Sequence, residues 1–413
     1  MLAFSCSLAL AWNGAAPMLH QSHGAASAAH MASRSAVLSM QVEAPTKVDA
    51  NEAAKASFDT SIDEVPKCPL TRWDADGIDL EAARAQVQER RLPYEVKRSE
   101  VPEGMSEEAW LESQQEFLLE KLTASGAIWF RGFETMKTKE GFKNFYEKLD
   151  LEPCQDPLAS VGARAVVDKK TAMYEAVNKP SRAKFFVGMH NESTFKRTNR
   201  LGAFVCFKRA QSGGEFLLVD GHKMIADLDK DVLQRLYERG VRFSNAELPF
   251  FDFLRNAGPL KDVLQPVFKA IAQAGVGAKI DMELELRWDE NDEDGLRLLA
   301  FSPPQSPVNR HPVTGKAAWF CNVHSHSRYL RDSRDGKLPE TSGASKLNRT
   351  NMYYGDLSEI AEEDLKAIDK ATFDNMVYVP MEEGDTVLVD NYQVMHGRAK
   401  FEGERLHAVT WFQ

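Results

Sequence analysis

"DTVLVDNYQVMHGRAKFEGERLHAVTWF", residues Asp385–Phe412, is the stretch whose reading decides the fold. Its short apolar runs, broken by Asp, Asn and Gly, read as strands joined by turns. His396 sits at the end of one of them. Working back toward the N-terminus, the same texture recurs in "LGAFVCFKRA", "GGEFLLVDG", "GVRFSN", "LRLLAFSPP", "KAAWFCNVHSH" and "MVYVP". Two stretches with helical spacing interrupt these strand candidates, "IADLDKDVLQRLYERG" and "EIAEEDLKAIDKATF". Many short strands with a few external helices predict a mainly β fold with α, a sandwich or jelly-roll core with peripheral and inserted helices. There is no strict βαβ alternation, no GxGxxG and no internal repeat, which disfavours a dinucleotide fold.

Upstream, "LEAARAQVQERR" and "SEEAWLESQQEFLLEKLTASG" carry apolar residues at helical spacing. Ser106 is the expected N-cap of the second and Gly126 its stop. "AIWFRGF" then reads as a buried strand and "KEGFKNFYEKL" as another amphipathic helix. The first forty residues differ in kind. Met1 to Gln41 hold no Asp or Glu, and Arg34 is their only Lys or Arg. "MLAFSCSLALAW" is an apolar head too short to span a bilayer, followed by a hydroxylated, acid-free tract. This resembles the two-part targeting segments of algal plastids bounded by extra membranes. A secretory signal or a mitochondrial peptide is the alternative, though one Arg is few for the latter. The expected organisation is a plastid-targeting presequence over 1–45, a linker and N-terminal helices over 46–114, and one enzymatic domain over 115–413.

The composition is that of a folded protein, 43% hydrophobic and 27% charged. A net charge of −10 argues against a nucleic-acid partner, because phosphate neutralisation needs clustered Lys and Arg. No later segment approaches a transmembrane run, and nothing fixes an oligomeric state. Five cysteines (Cys6, Cys68, Cys154, Cys206 and Cys321) show no CxxC pair, which excludes a zinc ribbon and predicts isolated, mostly buried thiols rather than a disulfide framework.

The chemistry lies in two places. "GMHNESTF" (188–195) contains His190-Asn191-Glu192, the chain's only His followed two residues later by a carboxylate. Ten histidines and 61 acidic residues supply about one such triplet by chance, so alone it decides nothing. With His396 it makes two imidazoles and one carboxylate, a set that leaves adjacent coordination positions open. That suits non-haem Fe(II) with a bidentate co-substrate and O2 better than a closed tetrahedral zinc site.

Seven blocks in order extend the pattern: "GAIWFRGF", "GMHNESTF", "SGGEFLLVDGHKM", "GVRFSN", "HPVTGKAAWFCNVH", "YYGDLSEI" and "EEGDTVLVDNYQVMHGRAKFEGERLHAV". They resemble the TauD/TfdA family of Fe(II)- and 2-oxoglutarate-dependent dioxygenases, near its clavaminate-synthase-like and SyrP-like branch. The resemblance implies a double-stranded β-helix, with His190, Glu192 and His396 as iron ligands and 2-oxoglutarate and O2 as co-substrates. The carboxylate at Glu192 argues against a halogenase, where a small residue leaves room for chloride. A planar guanidinium matches the co-substrate's distal carboxylate. Arg405, nine residues after His396, fits the family pattern best and Arg398 second. Relatives usually place Thr after the acidic residue of "GGEF", where Phe216 stands here, so Thr194 and Asn391 are candidates to supply that hydrogen bond. His324 and His326 match a family segment near the site, one of them a candidate pocket residue, although a structural role weighs more. His311, Asp220, Asp385 and Asp390 read as turn and capping residues, and "LPFFDFL" as an entrance lining or core. The combination of presequence and branch resembles algal oxygenases that convert the 17-propionate of a protochlorophyllide-type Mg-porphyrin to an acrylate, which implies a Mg-tetrapyrrole as the small-molecule substrate. An amino-acid-like metabolite is the competing substrate class. A metal-binding cupin-like protein without turnover would leave the Arg pattern unexplained, and a zinc hydrolase would lack an obvious general base.

Overall fold

The computed structural model describes residues 65–157, 166–168, 172–176, 178, 183–192, 196–248, 258–279, 283–288, 298–335 and 350–413. The expected presequence, the start of the expected linker, Thr194 and all of "LPFFDFL" but Leu248 lie outside them. No helix among the described residues is long and apolar enough to cross a membrane.

Local signals work as their chemistry requires. The Ser106 side chain accepts from Ala109 N and starts a helix at Glu107–Ser113, and a second helix, Gln115–Ser125, follows after Gln114. Gly126 ends it with φ 85°, a left-handed geometry that glycine adopts without strain. Thr138 caps the helix Lys139–Lys148, whose Phe142, Phe145 and Tyr146 are buried.

Two facing sheets form the core. The larger runs β1(Tyr94–Lys97), β2(Ala127–Arg131), β3(Val166–Asp168), β4(Met173–Glu175), β6(Leu201–Lys208), β13(Thr386–Asp390) and β15(Leu406–Phe412), in the spatial order β1-β2-β13-β6-β15-β4-β3. Only β1 and β2 run parallel; the other pairs on this path are antiparallel. The smaller orders β12(Val377–Val379), β7(Phe216–Asp220), β14(Val394–Arg398) and β5(Val187–His190). Period-two alternation sorts their side chains into three cores. Phe204, Phe216, Leu218, Val387, Val389, Val394, Val409 and Trp411 pack between the sheets. Phe130, Leu388, Ala408 and Phe412 face the helices behind the larger sheet, and Met189, Leu217, Val219 and Met395 those behind the smaller. This is the expected jelly roll with peripheral helices.

Three expectations are corrected. "GVRFSN" and "LRLLAFSPP" are strands, but of a separate inserted sheet: β8(Val241–Leu248), β9(Glu285–Trp288), β10(Leu298–Phe301) and β11(Asn351–Tyr354), ordered β9-β10-β8-β11. Val241 and Phe243 bury against the helices behind the smaller sheet rather than in the jelly-roll interior. "NVHSH" turns into a short helix, Val323–His326, because Asn322 leaves the strand to accept a hydrogen bond from Asn191 N at 2.9 Å. Cys68 and Cys154, expected as isolated thiols, are joined in a disulfide. With a sequence separation of 86 they carry no spacing signal, and a parallel bridge between Lys67 and Gln155 brings them together. Cys206 and Cys321 are free and buried, as expected.

The segment around Cys68 is a strap rather than a loose linker. Thr71 N donates to Lys196 O, Thr198 N to Pro69 O, and Arg72 N to the Tyr392 hydroxyl. Asp74 N donates to Asn309 Oδ1. The strap therefore lies over the chain that leaves Glu192.

Candidate metal centre

Strand alternation points His190 and His396 into the space between the sheets, since their neighbours Met189 and Met395 face outward. The two are directly opposite in the β14–β5 register, with ring centroids 4.4 Å apart. Gly397 lets the strands close: a Cβ there would meet Val187 O at 2.5 Å and Met189 Sδ at 2.7 Å.

Each ligand candidate is held from behind. His190 Nδ1 lies 2.8 Å from Gly188 O, so the ring donates there and leaves Nε2 as the lone-pair nitrogen. His396 is flanked by Phe204, with ring centroids 4.8 Å apart, and stacked against Phe216 at 5.9 Å. The Glu192 carboxylate lies 4.0 Å from His190 Nε2 and 3.7 Å from His396 Nε2, and its side chain is buried. Nearest donor atoms of the three residues all fall within 4.8 Å of one another, within reach of a single ion. Two imidazoles and one carboxylate, with no fourth His, Cys, Asp or Glu in this group among the described residues, fit a non-haem Fe(II) site with open positions.

Asn391, a candidate for holding the co-substrate, instead has its amide fully used on Glu192's surroundings. Its Oδ1 accepts from Glu192 N at 2.6 Å, and its Nδ2 donates to Glu192 O, Thr198 Oγ1 and Asn199 O. Thr198, which sequence reasoning missed, also donates to Glu192 O at 2.7 Å. Asn191, between the two ligand candidates, donates to Asn391 O and accepts from Cys321 N. A whole polar cluster thus fixes the main chain that carries Glu192.

Both candidate arginines are buried and flank the ring of Phe401, Arg398 at 4.7 Å and Arg405 at 5.8 Å from its centroid. Arg405 Nη1 donates to Ala176 O at 2.8 Å and Asn178 Oδ1 at 3.1 Å, neither of which carries charge. Burial, with Arg398 nearby, pushes its pKa down to about 9. Two neighbouring guanidinium groups in a dry interior favour an anion beside them. Asn178 was missed as well: no motif marks it, and its role emerges only from long-range contact.

His324 is structural. Its Nδ1 accepts from Met189 N, its Nε2 faces Asp369 at 3.2 Å, and burial pushes its pKa down to about 4. His326 instead lines a small cleft, with room for about one water, together with Val241, Phe243, Phe320, Asn322 and Met352. Burial also pushes its pKa down, to about 3, so it is neutral. His311 donates from Nε2 to Asp390 and accepts turn amides from Val313 and Thr314 at Nδ1, the structural turn role expected of it.

The chain is similar to known proteins over most of its length. It is 26% identical over 293 residues to the dapdiamide synthesis protein DdaC of Enterobacter agglomerans, covering 69% of this chain and 82% of that one. It is 22% identical over 307 residues to a clavaminate synthase-like protein of Arabidopsis thaliana, covering 71% and 84%. The solved PvcB protein from Pseudomonas aeruginosa matches at a TM-score of 0.43 and 14% identity, over 77% of this chain and 84% of that chain. Residues 95–411 match the family described as "Taurine catabolism dioxygenase TauD, TfdA family". With that match spanning most of the chain and the donor set in place, the protein belongs to the TauD/TfdA family and is an iron- and 2-oxoglutarate-dependent dioxygenase.

Proposed function

We propose that the protein acts in the plastid as a chlorophyll c synthase, desaturating the 17-propionate of a protochlorophyllide-type Mg-porphyrin to an acrylate. The observation that carries the underlying reaction class is the His190–Glu192–His396 set, with its carboxylate present and buried. The presequence and the clavaminate-synthase-like branch support the plastid and the substrate. His190, Glu192 and His396 would hold the iron. Iron, when bound with 2-oxoglutarate and O2, supplies an oxidant able to take hydrogen from an unactivated C–H bond.

The chain's own residues do the rest. The Gly188 carbonyl fixes the tautomer of His190, Phe204 and Phe216 hold the ring of His396 and exclude water, and Asn391 with Thr198 sets the Glu192 main chain. Arg405 and Arg398 supply the positive pocket for the co-substrate's distal carboxylate.

The balance is propionate side chain, 2-oxoglutarate and O2 giving acrylate, succinate, CO2 and water. Incubating the full chain with Fe(II), 2-oxoglutarate and a protochlorophyllide should give a product lighter by one pair of hydrogens, with matching succinate. His396→Ala should abolish both. Succinate formation with a small metabolite and none with the porphyrin would replace the substrate while keeping the chemistry. That second reading is favoured by the identity shared with the dapdiamide synthesis protein.

A further inference from the structure

Each end of the Cys68–Cys154 bridge leads to a candidate metal ligand through a short run of contacts. On the Cys68 side, Arg197 Nη1 donates to Cys68 O at 2.9 Å, Thr198 N to Pro69 O at 3.2 Å and Thr71 N to Lys196 O at 2.9 Å. Thr198 in turn donates from Oγ1 to Glu192 O at 2.7 Å. On the Cys154 side, Cys154 stands opposite Trp411 in a short antiparallel pairing with β15. Trp411 meets Phe204 edge-on, with ring centroids 5.5 Å apart, and Phe204 flanks the ring of His396 at 4.8 Å. The bridge thus ties the supports of Glu192 to those of His396.

The strap has little else to keep it down. Between Val65 and Asp74 only Val65 and Cys68 are buried, whereas Lys67, Leu70, Arg72 and Trp73 face solvent, Trp73 with one edge on Phe320. Beyond the bridge it is held mainly by main-chain hydrogen bonds, among them Gln155 N to Pro66 O. A segment held this way opens locally at far lower cost than a core strand, and opening brings the two sulfurs within reach of a thiol in solvent. The other described cysteines compete poorly. Cys206 and Cys321 are buried thiols whose pKa burial pushes up to about 12, so neither forms a thiolate readily.

We propose that the Cys68–Cys154 bridge is a redox-sensitive clamp on the metal centre, which a dithiol reductant opens. One thiolate of the reductant attacks a bridge sulfur, the Cys68–Cys154 bond breaks and a mixed disulfide forms. The reductant's second thiol then displaces the remaining protein thiol. Two electrons and two protons pass to the cysteines, and the reductant leaves as its own disulfide. Without the bridge the strap lifts from residues 196–198, the main chain carrying Glu192 loosens, and the metal is held more weakly. The proposal rests on His190, Glu192 and His396 being the metal ligands.

Calorimetric titration of the full chain with Mn(II) tests it, on oxidised protein and on protein reduced with dithiothreitol and desalted anaerobically. Reduction should release the two bridge thiols and weaken Mn(II) about tenfold, the lower end of what loss of an outer-shell support costs, with the far-ultraviolet circular dichroism unchanged. Reoxidation should restore the affinity. The double variant Cys68→Ser, Cys154→Ser should bind as weakly as the reduced chain and ignore dithiothreitol. If that variant fails to fold, the unaltered chain, reduced and then reoxidised, carries the test. Equal affinity in the two states, or a bridge that dithiothreitol leaves closed in the folded protein, overturns the clamp and leaves the ligand set intact. Affinity lost only together with the folded circular dichroism signal overturns it too, since the bridge would then serve the fold alone. Absence of Mn(II) binding by the oxidised chain overturns the ligand set and the clamp with it.

Discussion

Glu192 reaches the metal centre on a main chain that Asn391 grips at both its N–H and its carbonyl. Removing that grip takes the Asn391 partner from the Glu192 N–H and leaves its carbonyl to Thr198, loosening the main chain that carries the carboxylate. Asn391→Leu should therefore lower affinity for Mn(II) or Fe(II) by about 10–100-fold, as loss of an outer-shell partner typically does, and a metal titration reads it. Unchanged affinity would show that Glu192 is placed by other contacts. The ligand residues themselves were legible in the sequence through the seven ordered blocks around them, since the His190–Glu192 spacing alone is one that chance supplies. Asn391 was legible as a polar residue near the site, but its partner was not: its contacts with Glu192 and Thr198 span nearly two hundred residues.

At the scale of elements, the pairing of β14 with β5 sets the distance between the two histidines. Gly397→Ala would force a methyl against Val187 O, backbone that cannot swing aside as a side-chain tip can. The expected result is a loss of roughly 1–3 kcal/mol of stability, seen as a lower thermal midpoint, together with weaker metal binding as His190 is pushed from His396. A stable variant with weak metal binding would still fit. A stable variant with normal binding would not. Capped and periodic helices were readable because their signals are local, as at Ser106 and Gly126. The helix Lys261–Lys279 was not, since Pro266 and two glycines interrupt its pattern and none of the apolar side chains over 261–274 is deeply buried. The inserted sheet was misplaced for a related reason: a strand's texture does not say which neighbour it pairs with.

The molecule as a whole buries several neutral histidines. Burial pushes His324 down to about 4 and His326 to about 3, and lowers His222 and His407 as well. The unfolded chain takes up these protons near pH 6.5, the folded chain only well below it. Stability from these groups is thus complete above about pH 6.5 and falls as pH drops toward their folded values, by up to roughly 1.4 kcal/mol per pH unit for each. Urea midpoints of the metal-free protein should decline accordingly, and His326→Asn should flatten part of that slope. A flat profile would mean these histidines accept protons without unfolding. Composition and strand count foretold the jelly roll, whereas the Cys68–Cys154 link and the strap over residues 196–198 depend on proximities that only the assembled fold creates.

The position of β1 has a practical consequence at this same scale. It is a four-residue strand at the rim of the larger sheet, and Glu95 on it makes ion pairs with Arg91 and Arg131. Short, charged rim strands keep a sheet from recruiting another chain. A polypeptide begun at residue 115 would lose that guard and present the apolar "AIWFR" of β2 with its outward N–H and C=O groups open. Such a shortened protein should self-associate on size-exclusion chromatography, whereas one that retains Val65 onward should not. What reads as a preamble to the enzyme is, on this account, part of what keeps it soluble.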